Sequence, residues 1–224
     1  MNRITNNAQQ DVSNLARLEG IDLVRAGAEW PGLTREDLLP HLDRLEGRDL
    51  VRAGAEWPGL TREDLLPHLD RLEGVRLVDV GLRWRPRLTR KDLLPHLERL
   101  EGRDLVAAGE EWPGLAREDL LFHLDRLEGI DLVLAGAEWP GLTRDDLLPH
   151  LNLNLLGWNL VKAGQNWPGL TREDLLPHLE RLEGESLAEA GAHWSGLTRE
   201  DLIPHLDRLK GRKQAKEPGK TRRF

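Results

Sequence analysis

From residue 33 the chain sets apolar residues at helical spacing. Leu38, Leu39, Leu42 and Leu45 stand at i, i+1, i+4 and i+7, one face of an α-helix, with charged positions between them. Thr34 is placed to N-cap this helix, here helix A. Glu36 and Asp37 fall in its first turn, where carboxylates meet unpaired N–H groups and the positive end of the dipole. Leu33 and Leu38 occupy the two positions of a hydrophobic staple, and Gly47 is placed to close the helix as a left-handed C′ residue. Pro40 removes one backbone donor from the sixth helical position. Phe122 fills the same place in a later copy, so the pattern predicts one kinked helix rather than two fragments.

A shorter helix B is predicted from about residue 22 to residue 30. Leu23, Val24, Gly27 and Trp30 share a face, and Pro31-Gly32 ends the helix in a tight turn. The N-cap falls two residues after a glycine, at Asp22, Asp49, Arg76, Asp104, Asp131, Asn159 and Ser186; six of these seven are good capping types.

The hairpin recurs. Trp30, Trp57, Trp84, Trp112, Trp139, Trp167 and Trp194 are separated by 27, 27, 28, 27, 28 and 27 residues, and residues 21–47 and 48–74 differ only at Ile21 and Arg48. A fixed period of this length marks a solenoid, so the fold class expected is all-α, an α-solenoid or superhelix of tandem 27-residue helical hairpins. A leucine-rich repeat needs an L-x-L strand and an Asn or Cys ladder, and DLLPHLDRL has neither. Tetratricopeptide and ankyrin units are longer, with motifs absent here. In general style the unit resembles short helical-hairpin arrays such as the DNA-binding effector repeats, without their residues.

The expected organisation is a tail and half-repeat cap over 1–20, seven repeats over 21–211 and a basic disordered tail over 212–224. In the cap, DVSNLARLEG keeps Val12, Leu15 and Leu18 but places Asp11 and Asn14 at otherwise apolar or His positions. At the other end Leu202, Ile203, Leu206 and Leu209 are followed by no second helix, leaving an apolar edge.

A single hairpin cannot offset chain entropy of roughly 1–2 kcal/mol per residue, so neighbours must stack and the Trp row is expected as structural core. Cysteine is absent, which excludes disulfides and thiolate metal sites. No apolar run reaches membrane-spanning length and residues 1–10 contain no signal-like core, so a cytoplasmic protein is expected. The net charge is −7; the tail from 212 carries six basic residues and one acid, +5, which leaves −12 on residues 1–211. An acidic array is poorly suited to a phosphate backbone.

His41, His68, His96, His123, His150, His178 and His205 form a row, each four residues after an aspartate such as Asp37. Helices stacked roughly 8–10 Å apart keep successive imidazoles from sharing an ion, so a histidine bonded to a neighbouring aspartate or carbonyl is expected. No catalytic, cofactor or metal site is expected, and no enzyme activity.

Helix A keeps its charged face nearly constant, whereas the outward position of helix B reads Arg25, Arg52, Asp79, Ala107, Leu134, Lys162 and Glu189. A constant scaffold with a changing face suits a modular protein- or peptide-binding scaffold, possible copies of itself included. The alternatives are a nucleic-acid reader using one repeat per base, and a recently duplicated or idealised array with no specific ligand.

Overall fold

A computed structural model describes residues 13–85, 87–153 and 155–209. The expected basic tail at 212–224, and Asp11 and Val12 of the half-repeat, lie outside the described residues. All regular structure among the described residues is helical, and the chain is an α-solenoid of tandem hairpins. It divides into two compact units, Met1–Leu120 and Leu121–Phe224.

In the first unit the B helices are α1 (Gly20–Glu29), α3 (Gly47–Glu56), α5 (Gly74–Arg83) and α7 (Gly102–Glu111). The A helices are α2 (Arg35–Leu42), α4 (Arg62–Leu65), α6 (Arg90–Leu93) and α8 (Arg117–Leu120). The second unit opens with the 3₁₀ segment Leu121–Arg126 and continues with the B helices α9 (Gly129–Glu138), α11 (Gly157–Asn166) and α13 (Gly184–His193). Its A helices are α10 (Arg144–Leu153), α12 (Arg172–Leu175) and α14 (Arg199–Leu202), and the last turn is α15 (Leu206–Leu209). Within each unit the B helices stack in sequence order. Leu15 of the half-repeat is fully buried.

Helix A is a single α-helix through its proline only in α2 and α10. In most copies an α turn passes into a 3₁₀ stretch, as α4 does into Leu66–Arg71 and α6 into Leu94–Arg99. Proline does not dictate the change: Leu121–Arg126 is 3₁₀ with Phe122 in the proline position, and α2 and α10 stay α-helical through Pro40 and Pro149. Leu69 is buried within the 3₁₀ stretch and Leu72, its extended C-cap, is buried after it; the same three-residue spacing at Leu39, Leu42 and Leu45 accompanies an α-helix, so leucine spacing does not select between the two forms either. Thr34 caps as expected, its backbone N–H and hydroxyl both donating to Asp37 Oδ2, at 2.8 and 2.7 Å.

Helix B begins earlier than its pattern predicts. Gly47 has φ of +46° and opens α3 rather than closing α2, and the N-cap is extended Glu46, which makes no side-chain capping bond. A left-handed glycine turns the chain straight from an extended residue into the helix. The expected cap Asp49 therefore sits inside the first turn, as do its counterparts.

Candidate interaction surface

The residues that repeat without change are the ones that join one hairpin to the next. In each stack the Trp ending a B helix lies on the previous B helix: Trp57 Nε1–H donates to the Val24 carbonyl at 2.9 Å, Trp84 to Val51 at 3.1 Å and Trp112 to Val78 at 3.2 Å. Trp167 and Trp194 make the same bond to Val133 and Val161 in the second unit, both at 3.0 Å. Glycine makes the approach possible. A Cβ added to Gly27 would stand 2.4 Å from Trp57 Nε1, and one on Gly136 would stand 2.2 Å from Trp167 Nε1. Trp57, Trp84, Trp112, Trp139, Trp167 and Trp194 are buried, whereas Trp30, with no earlier B helix among the described residues, is half-buried. Burial of one indole is worth about 4–6 kcal/mol before entropy, at roughly 25 cal/mol per Å² over 150–250 Å².

The A helices are joined by charge. Arg35 reaches the next repeat and grips Asp64 through both carboxylate oxygens, Nε to Oδ2 at 2.7 Å and Nη2 to Oδ1 at 2.5 Å. Arg62–Asp92 and Arg90–Asp119 repeat the clamp in the first unit, Arg144–Asp174 and Arg172–Asp201 in the second. The aspartate is the same residue that caps the threonine of its own helix, so one carboxylate fixes a helix start and a repeat junction together. The Arg35 bond, with donors from Thr61, holds Asp64 down to about 2 from an ordinary 3.8. Asp92, Asp174 and Asp201 are held well below the usual carboxylate range by Arg62, Arg144 and Arg172.

A second arginine row closes the other end of helix A. Arg71 donates to the carbonyls of Leu42, Asp43 and Leu45 at 3.3, 2.9 and 2.6 Å, and Arg99 does the same to Leu69, Asp70 and Leu72 at 3.2, 3.0 and 2.7 Å. Arg44 binds Leu15 and Leu18 in this way, and Arg181 binds Leu151 and Leu155. Carbonyls left open at a helix end thus find donors on the following repeat.

The histidine row belongs to this junction. His41, His68, His96, His123 and His178 face an arginine three residues on, Nδ1 to Nη1 at 2.8–3.1 Å. Arginine has no acceptor, so Nδ1 accepts and each ring is neutral with its proton on Nε2. Asp37, expected beside His41, instead caps Thr34. Burial first, and the adjacent guanidinium after it, push His41 below its ordinary 6.5; burial does the same to His68, where Arg71 reinforces it against an opposing Asp43. Among the described residues no three His, Cys, Asp or Glu side chains converge as a metal site.

What the stack leaves unused is the outer face of helix B. Arg25 and Arg52 are exposed, and Asp79, Ala107, Leu134, Lys162 and Glu189 are half-buried at the equivalent place. None of the seven makes an inter-repeat bond of the kinds above. In the first unit this face is ionic. Between α3 and α5 lies a groove of about 340 Å³ bordered by Arg48, Arg52, Glu56, Arg76, Asp79 and Arg83. In the second unit Ile130 and Trp158 are each 47% exposed, and Lys162 Nζ sits 4.9 Å above the Trp158 ring. The sequence pattern identified the outward position, the residue before each helix, Arg48 among them, and the pair after the glycine that includes Arg83. Arg76, read there only as a capping position, was missed as part of this face.

No helix among the described residues is long and apolar enough to cross a membrane. Comparison with protein-family models, with curated proteins and with solved structures found no match.

Proposed function

We propose that the chain is a non-enzymatic scaffold of the cytoplasm that binds a protein or peptide along the outer face of its B helices. One contrast carries the reading. Glu36, Glu63, Glu118 and Glu173 are about three-quarters exposed, yet their position is acidic in six of seven repeats. The outward position of helix B holds six residue types in the same seven repeats. The acidic row opens helix A, where a carboxylate favours the positive end of the dipole, whereas the outward row of helix B has no such backbone role and is free to follow a partner.

The last repeat supports self-association as a further property of the scaffold. Leu42, Leu69, Leu124 and Leu179 are buried, but their counterpart Leu206 is 46% exposed beside Ile203 at 53%.

Affinity capture from the source cell, with and without nuclease, tests the proposal. A protein retained after nuclease treatment by residues 13–209 supports the scaffold. Loss of all captured material on nuclease treatment, or sequence-selective oligonucleotide binding by 13–209, overturns it in favour of a nucleic-acid reader.

A further inference from the structure

Resting on the scaffold reading, we propose that the groove between α3 and α5 takes an acidic peptide segment, with Arg48 and Arg76 as the residues that hold its carboxylates. The groove reverses the sign of its surroundings. Four arginines against Glu56 and Asp79 give a local balance of +2 in a chain whose net charge is −7. Two of the four are engaged within their own helices, Arg52 Nε with Glu56 at 2.8 Å and Arg83 Nε with Asp79 at 3.2 Å. Arg76 reaches Asp79 only at 3.9 Å, on a carboxylate already shared with Arg83, and the Arg48 side chain makes no hydrogen bond or ion pair with the described residues. Two guanidiniums on neighbouring helices therefore border one depression with most of their donors free.

The remainder of the lining selects the ligand. Buried Val51 and half-buried Ala55 complete the groove, apolar surface against which the methylenes of a glutamate side chain can lie. A phosphate backbone would have to pass Glu56 and Asp79 and then an array of charge −12 over residues 1–211. A short peptide needs only the two free arginines. Guanidinium forks match carboxylates in a bidentate manner, which favours this pairing over a diffuse charge attraction.

Fluorescence anisotropy with labelled hexaglutamate, hexalysine and a twelve-residue oligothymidylate tests the proposal on the full chain. The parent binds hexaglutamate in preference to the other two. Arg48→Gln with Arg76→Gln weakens that binding about tenfold, taking roughly three- to fivefold per exposed ion pair. The doubly reversed variant, Arg48→Glu with Arg76→Glu, prefers hexalysine. Lys91→Glu, which removes the same two units of charge as the double Gln variant but on the exposed face of helix A, leaves hexaglutamate affinity unaltered. Both arginines point away from the core, so circular dichroism is expected to stay at the parent value. The proposal is overturned by a parent that ignores hexaglutamate at millimolar concentration, by variants that bind it as the parent does, or by tighter binding of the oligothymidylate. A protein captured equally by the parent and by the Gln variant removes this inference and leaves the scaffold standing.

Discussion

Gly54→Ala separates packing from helix propensity by sign. Gly54 is interior to α3, where alanine alone would stabilise by about 1 kcal/mol. Its added Cβ would lie 2.4 Å from Trp84 Nε1, 2.6 Å from Cδ1 and 2.8 Å from Cε2, all on a ring that is completely buried. A rigid indole cannot swing only its tip aside. Overpacking of this kind costs about 1–3 kcal/mol, and displacement of the ring also strains the Nε1–H bond to the Val51 carbonyl, worth about 1 kcal/mol. Set against the propensity gain, a net loss of about 2 kcal/mol is expected. Gly191→Ala is the internal control, because no later Trp covers it. There the Cβ meets only Leu202, at 2.6 Å from Cδ1, the far end of a flexible and half-buried side chain. That substitution is expected to lie within about 1 kcal/mol of neutral. Urea unfolding followed by far-ultraviolet circular dichroism measures both. A midpoint for Gly54→Ala no lower than that of Gly191→Ala would show that the glycine row is not a seat for tryptophan.

Four further outcomes follow from the same contacts. Asp92→Ala removes a helix cap and an inter-repeat clamp at once, so its loss should exceed the 0.5–2 kcal/mol or so of a cap alone and exceed that of Arg62→Gln; equal urea midpoints for the two would contradict the dual role. Stability should fall as pH drops below about 6.5, because His41, His68, His96 and His178 are kept neutral in the fold and bind protons more readily when unfolded. Asp64 contributes separate stability that is present above 3.8 and lost as pH falls toward 2; unfolding midpoints that stay flat between pH 7 and 5 would remove the histidine half of this account. Leu202→Lys with Leu206→Lys should cost far less than Leu65→Lys with Leu69→Lys, whose side chains are at most 1% exposed, and should abolish any dimer seen by light scattering. Deletion of residues 48–74 should leave a shorter folded array, and deletion of 13 residues should not, as thermal melts will show.

The hairpin and its period were legible because leucine spacing and a tryptophan every 27 or 28 residues are properties of one chain segment read alone. The junction chemistry was not. Arg71 can meet the carbonyls of Leu42 and Leu45 only at the angle the stack provides, and no spacing rule within a repeat contains that angle. The histidines lie near aspartates of the preceding repeat, as His68 does to Asp43 at 3.7 Å, rather than those of their own helix: Asp37 stands one helical turn from His41, but its carboxylate is occupied by Thr34. The start of helix B was misplaced because Asp49 is a good capping type, while the left-handed backbone of Gly47 let the helix begin with no side-chain cap. The outward row of helix B, and Arg48 and Arg83 beside it, were visible from their variation, but that they border one groove required the two helices side by side.

The division between a constant stack and a variable face is tested most directly by replacing Arg25, Arg52, Asp79, Leu134, Lys162 and Glu189 together with alanine, the residue already present at position 107. Binding of the levelled chain to the captured partner is then measured by calorimetry, beside its urea unfolding curve. The account predicts an unfolding midpoint at or slightly above that of the parent, because these side chains join no repeat to the next and alanine favours helix, together with loss of partner binding. Undiminished binding by a levelled chain that unfolds like the parent would contradict it.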